Sequence, residues 1–163
     1  MEHSYGLQEL KRLFPGKRES MRFIGRLRWG TSPHCPYCGS RRISPFRNED
    51  RYHCNACNIS FSATVNTIFH NTRIPLQKWF RAVLLFRESR RPLSVRRLAA
   101  EIGVNKNTAC NMLSRMKTVF RDIGVFPDNT SEGRRLPRDR EGKLEGQIIE
   151  ILQSLLRRLL EFS

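Results

Sequence analysis

Apolar positions along this chain change their period several times. Over residues 73–89, "RIPLQKWFRAVLLFRES" places Trp79, Phe80, Val83, Leu84 and Phe86 at the spacing of a helix with one buried face. Pro75 stands at the start of that helix, where its missing N–H is tolerated. "RRP" closes it before Pro92. In residues 93–124, Ser94 can cap a helix running to Ile102, Gly103 makes a turn, and a second helix runs from about Lys106 to Asp122. Ala99 is small where the two helices must cross closely, and Leu98, Ile102, Val104, Ala109 and Met112 fall in the angle between them. This pattern predicts a helix-turn-helix, with an ordinary helical hairpin as the plainer alternative. Near the N-terminus, "SYGLQELKRLF" and "KRESMRFIGRLRWG" predict two short helices, and Trp29 is expected to pack on the segment that follows. There, "RRISPFRNEDRYHC" reads as two short strands around an Asn-Glu-Asp turn. The far end differs again. Residues 127–143 are polar and rich in Pro and Gly, as a linker is. Ile148, Leu152, Leu155, Leu159 and Phe162 then follow at heptad spacing, with Ile149, Leu156 and Leu160 beside them. So broad an apolar face predicts a helix that packs on its own chain or pairs with a second copy, a possible homodimer.

The charge is lopsided, with 30 Lys plus Arg against 15 Asp plus Glu, a net +15 over 163 residues. That excess implies a polyanionic partner, and nucleic acid is the usual one. It is unevenly spread: residues 76–126 carry eleven basic against three acidic residues, whereas 127–163 carry seven of each. The polyanion is therefore expected to bind before residue 127. No basic amphipathic helix dominates, which argues against a membrane surface as partner, and no apolar run reaches the roughly 20 residues that span a bilayer. The N-terminal "MEHSYGLQEL" lacks the basic start and apolar stretch of a signal peptide, so a cytoplasmic location is expected.

Four of five cysteines lie in "HCPYCGSRRISPFRNEDRYHCNACNISFS", as two C-x-x-C pairs separated by fifteen residues. In a reducing compartment such pairs bind metal more often than they form disulfides. Each pair puts two thiolates on one tight turn, and two facing turns complete a tetrahedral all-sulfur zinc site. Cys35, Cys38, Cys54 and Cys57 are the expected ligands. Gly39 and Asn58, each directly after a second thiol, tolerate the positive φ that such turns need. His34 and His53 adjoin the thiols and are read as surface residues or hydrogen-bond donors to the ligands, and Cys110 stands alone.

The expected architecture is small, mixed and mainly α. It comprises N-terminal helices (1–30), a zinc ribbon of short β-strands (31–72) and a helix-turn-helix domain (73–126). A linker (127–146) and an amphipathic C-terminal helix (147–163) complete it. In a helix-turn-helix the start of the second helix enters the major groove of double-stranded DNA. Its outward positions would be Asn105, Lys106, Asn107, Asn111 and Ser114, with Cys110 near the same face. Asn can bond adenine bidentately and Lys can reach guanine. Arg96, Arg97, Arg115 and Lys117 are expected to hold phosphates, which gives affinity without sequence choice.

The stretches "RLRWGTSPHCPYCGS", "RYHCNACNISFSATVNTIFHNTRIPLQKWF" and "LAAEIGVNKNTACNMLSRM" together resemble the N-terminal region of bacterial insertion-sequence transposases with a zinc ribbon, over about residues 5–125. One departure is Asn66, where the family usually has Gly before Thr-Ile-Phe. The resemblance implies recognition of transposon ends. In the family, a following RNase H-like domain cuts and joins DNA with Asp-Asp-Glu-type carboxylates on two metal ions. "KLEGQIIEIL" resembles the entry to that domain's first catalytic strand, Gly-x-Ile-Glu-x-Asp, yet Leu152 stands where the Asp should be. The expectation is a truncated, non-catalytic, zinc-dependent DNA-binding protein. The alternatives are the DNA-binding subunit of a transposase completed in trans by a separate catalytic chain, or a zinc-ribbon adaptor for RNA or protein. A helix-turn-helix argues against RNA, whose A-form major groove is too narrow for a helix.

Overall fold

The computed structural model describes residues 7–47, 49–89, 92–122, 152–154 and 156–157. About half of the described residues are helical, and among them is one three-stranded antiparallel sheet. Helices α1 (Leu7–Leu13) and α2 (Lys17–Trp29) lead into strands β1 (Ile43–Pro45), β2 (Arg51–Cys54) and β3 (Ser60–Ser62). Helices α3 (Leu76–Glu88), α4 (Val95–Ile102) and α5 (Lys106–Asp122) follow.

The sheet runs β1-β2-β3 in space, with Tyr52 opposite both Pro45 and Phe61. Strand β3 goes beyond the two strands that the sequence suggested. Its Phe61 is buried and stacks on Tyr52, with ring centroids 5.6 Å apart. Trp29 meets both rings edge-on, at 5.6 and 5.8 Å, so the end of α2 closes the ribbon as expected.

Helix α3 differs from its expected form. One buried face was predicted, but every residue from Trp79 to Phe86 is buried. The reason is its surroundings: α1, α2, α4 and α5 all pack against it. A helix hydrophobic nearly all round belongs in the middle of a domain. Its one charge in that stretch, Arg81, reaches Glu101 on α4 at 3.3 Å. Phe14 and Phe23 each meet Phe80 edge-on, at 5.0 and 5.8 Å, and meet each other tilted at 4.9 Å, which fastens α1 and α2 to this central helix.

The ends of α4 follow the sequence reading. Ser94 Oγ accepts the Arg97 N–H, and Gly103 adopts the left-handed conformation at φ 62°, ψ 57°. The polar stretch 127–146 lies outside the described residues, as does most of the C-terminal segment. Residues 152–154 and 156–157 are helical, and Leu152 and Leu156 are fully buried in the same hydrophobic cluster as α3. That cluster runs without a break from the ribbon residues Cys35, Cys54 and Phe61 to these leucines.

Candidate metal centre and nucleic-acid interface

The two C-x-x-C turns are built alike. Gly39 donates its N–H to the Cys35 carbonyl at 2.9 Å, and Asn58 to the Cys54 carbonyl at 2.8 Å. Both residues sit at positive φ, 71° and 60°. This backbone turns N–H groups toward sulfur, as Tyr37 N–H does toward Cys35 Sγ at 3.4 Å. Antiparallel pairing of Ile43 with Cys54 brings the two turns together. Cys35 and Cys57 Sγ then stand 3.6 Å apart, as do Cys38 and Cys54 Sγ. All four sulfurs lie within 4.8 Å of one another.

That geometry fits zinc. Four thiolates at about 2.3 Å from a tetrahedral ion lie about 3.8 Å from each other. The thiols are not equivalent before metal arrives. Backbone N–H groups of Cys57 and then Ala56, with the neighbouring thiols, hold Cys54 down at about 6 against the desolvation that opposes them. Burial, reinforced by the neighbouring thiols, pushes Cys57 up to about 12. Neither histidine joins the set. His53 Nδ1 pairs with Ser60 Oγ at 3.2 Å, and the His34 ring lies edge-on to Trp29 at 6.1 Å. Cys110 is exposed on α5, outside the cluster.

The second candidate surface is the turn between α4 and α5. Leu98, Ile102, Ala109, Met112, Leu113 and Met116 are buried beneath it. Asn105, Lys106, Asn107, Asn111 and Ser114 are exposed, and so are Arg96, Arg97, Arg115 and Lys117. Two of these have structural partners. Asn105 Oδ1 accepts the Thr108 N–H at 2.8 Å, which caps α5. Arg115 Nη1 donates to the carbonyls of Ile68 and His70, at 3.1 and 2.9 Å. It therefore ties α5 to the segment after the ribbon. Asn107, Asn111 and Ser114 share one outward stripe at helical spacing.

Sequence reasoning missed the residue that holds the turn. Lys78 on α3 donates to the Gly103 carbonyl at 2.6 Å. No local signal marks that partnership, because 25 residues separate the two. It also missed the basic stripe Arg18, Arg22 and Arg26 on α2, which the spacing of four does display.

Residues 18–60 match the model of a family described as the transposase zinc-ribbon domain. A curated relative is an uncharacterised protein in the transposable element ISH50 of Halobacterium salinarum, 30% identical over 105 residues. The match covers 63% of this chain and 35% of that protein, so the chain spans about a third of the relative's length. No solved structure matches significantly. Residues 18–60 thus match the transposase zinc-ribbon family in sequence and, through four converging thiols, in the donor set that a zinc ribbon needs.

Proposed function

We propose that this chain is a zinc-stabilised, double-stranded-DNA-binding protein related to the end-recognition region of insertion-sequence transposases. The observation that carries the reading is the exposed α4–α5 turn. Buried α3 supports it, Gly103 shapes it, and Asn107 and Asn111 face outward beside exposed arginines. Used as a helix-turn-helix, α5 would enter the major groove with Lys106, Asn107, Asn111 and Ser114 toward the bases. Arg96, Arg97 and Lys117 would hold phosphates. Asn105 and Arg115 serve first as cap and tie, and contribute to DNA through their exposed atoms.

The zinc ribbon's role is to hold the three short strands together with the end of α2 that packs on them. Cutting and joining of DNA is not part of this reading. Among the described residues the four cysteines are the one group of three or more potential metal ligands drawn together. Two-metal phosphoryl transfer needs converging carboxylates instead.

The test is binding to a labelled transposon-end duplex across a salt series. Affinity should fall steeply with salt, because each neutralised phosphate releases counterions. Asn107→Ala and Asn111→Ala should each reduce discrimination between cognate and unrelated duplex by about 1–3 kcal/mol. Arg96→Ala should weaken both duplexes alike. A double Asn variant with undiminished sequence preference would remove α5 as the reader.

A further inference from the structure

A concave site lies away from the α4–α5 turn, between α2 and the β1–β2 hairpin. It is a cavity of about 160 Å³, with Arg18 and Arg22 on one wall and Phe46, Arg47, Asp50 and Arg51 on the other. Arg18 and Arg22 are one helical turn apart and both exposed. Phe46 is 41% exposed, one of three large apolar side chains among the described residues that stand out from the surface. Its ring meets that of His53 edge-on at 6.4 Å and lines the basic cleft.

The signs in the cleft are mixed. Asp50 pairs with Arg18 at 3.6 Å, and Glu49 with Arg51 at 3.6 Å. A surface meant only for the outer phosphates of a duplex has no use for carboxylates, which repel them. A nucleotide whose base has left the stack has use for all three kinds of group. An aromatic ring stacks on the base, arginines take the phosphate, and a carboxylate accepts from an exocyclic amino group or ring N–H. The volume agrees. It is below the roughly 300–1,000 Å³ of a pocket that encloses a whole drug-sized ligand. It suits one base with its sugar and phosphate left at the rim.

We infer that this cleft binds an unpaired nucleotide of a DNA strand. Resting on the proposed function, it adds single-strand recognition beside the duplex held by α5. A tailed duplex end is then the preferred ligand: α5 on the paired part, and the cleft on a base in the tail.

The experiment compares three probes by fluorescence anisotropy with the zinc-loaded full chain. They are a blunt duplex, the same duplex with a four-nucleotide mixed-sequence tail, and the tail strand alone. The tailed duplex should bind more tightly than the blunt one. Phe46→Ala should remove about five- to 150-fold of that advantage, the range spanned by stacking one base. Arg22→Ala should reduce it too. Both variants should bind blunt duplex like the wild type and keep one zinc per chain. Asn107→Ala should weaken blunt duplex while preserving the advantage of the tail. Equal binding of tailed and blunt probes by the wild type overturns the inference. So does an advantage that survives both Phe46→Ala and Arg22→Ala. Were blunt duplex not bound at all while the single strand bound through Phe46, the duplex-reading function would fail and the cleft would stand.

Discussion

A residue's type matters here most where the backbone is unusual or a metal must be held. Cys54 is fully buried, accepts backbone N–H groups and faces Cys38 Sγ at 3.6 Å. Cys54→Ser is expected to abolish stoichiometric zinc and unfold the three short strands, which have little core without metal. Cys110→Ser should leave one zinc per chain. Metal analysis of both purified variants decides this, and a zinc-free wild type would refute it. Asn66 gives a subtler case. The family resemblance marks it as standing in place of Gly, and its φ is +56°. Asn is, after Gly, among the residues that best tolerate the left-handed region. The departure is therefore a substitution the turn accepts, and its N–H is held by His70 Nδ1 at 3.2 Å. Asn66→Gly should change stability little, whereas Asn66→Val should cost about 1–2 kcal/mol in urea unfolding. Equal stability of Val and Gly at this position would show that the turn does not depend on φ. The thiol set and these turns were legible in the sequence because each depends on neighbours a few residues apart. The partners of Lys78 and Arg115 were not, since side-chain amphiphiles reach carbonyls on elements that only the fold brings near.

Helix α3 shows what periodicity cannot say. Its apolar positions signalled a helix and located its start correctly, yet a helix surrounded by four others looks in sequence much like one half-covered. The discriminating residue is Arg81, a charge inside an otherwise apolar stretch and only 2% exposed. Helix α4 supplies Glu101 to meet it, an arrangement that sequence alone does not announce. Much of Arg81's value should lie in its volume, because Glu101 is 39% exposed and stays hydrated when its partner is removed. Arg81→Met should accordingly keep stability within about 1 kcal/mol. Arg81→Ala should cost about 2–5 kcal/mol through the cavity it opens. Urea unfolding at fixed zinc measures both. If Met proved as damaging as Ala, the charge and its bond to Glu101 would be the essential part. Helix α4 and its turn were read far more closely. Ser94 and Gly103 are local signals, and the residues between them carry a strong amphipathic pattern.

At the scale of the molecule, the expected divisions at residues 30 and 72 meet a hydrophobic cluster that crosses them. Buried side chains continue from Trp29 and Phe61 through Phe69 and Trp79 to α5. Long side chains reinforce the crossing: Arg28 Nη1 donates to the carbonyls of Ala63 and Val65, and Gln77 Nε2 to that of Phe14. Continuity of packing is not the same as equal dependence on zinc. Trp29 rests on Tyr52 and Phe61, whose strands are held in register by the metal turns. Trp79 rests on Phe69 and donates its indole N–H to Thr72 Oγ1 at 2.8 Å, on α3 and outside the four-cysteine site. Removing zinc should therefore expose Trp29 and spare Trp79. Two variants separate the signals: Trp79→Phe leaves Trp29 as the reporter, and Trp29→Phe leaves Trp79. Titration with a chelator should shift the emission of the first toward the red at the zinc-loss midpoint. The second should keep its blue emission until denaturant is added, since α3 retains α1, α4 and α5 around it. Lowering the pH should move the first transition to lower chelator concentration, because protons compete with zinc for thiolate sulfur. Simultaneous red shifts in both variants would instead make the ribbon and the helices one cooperative unit, with zinc required for the α4–α5 turn itself.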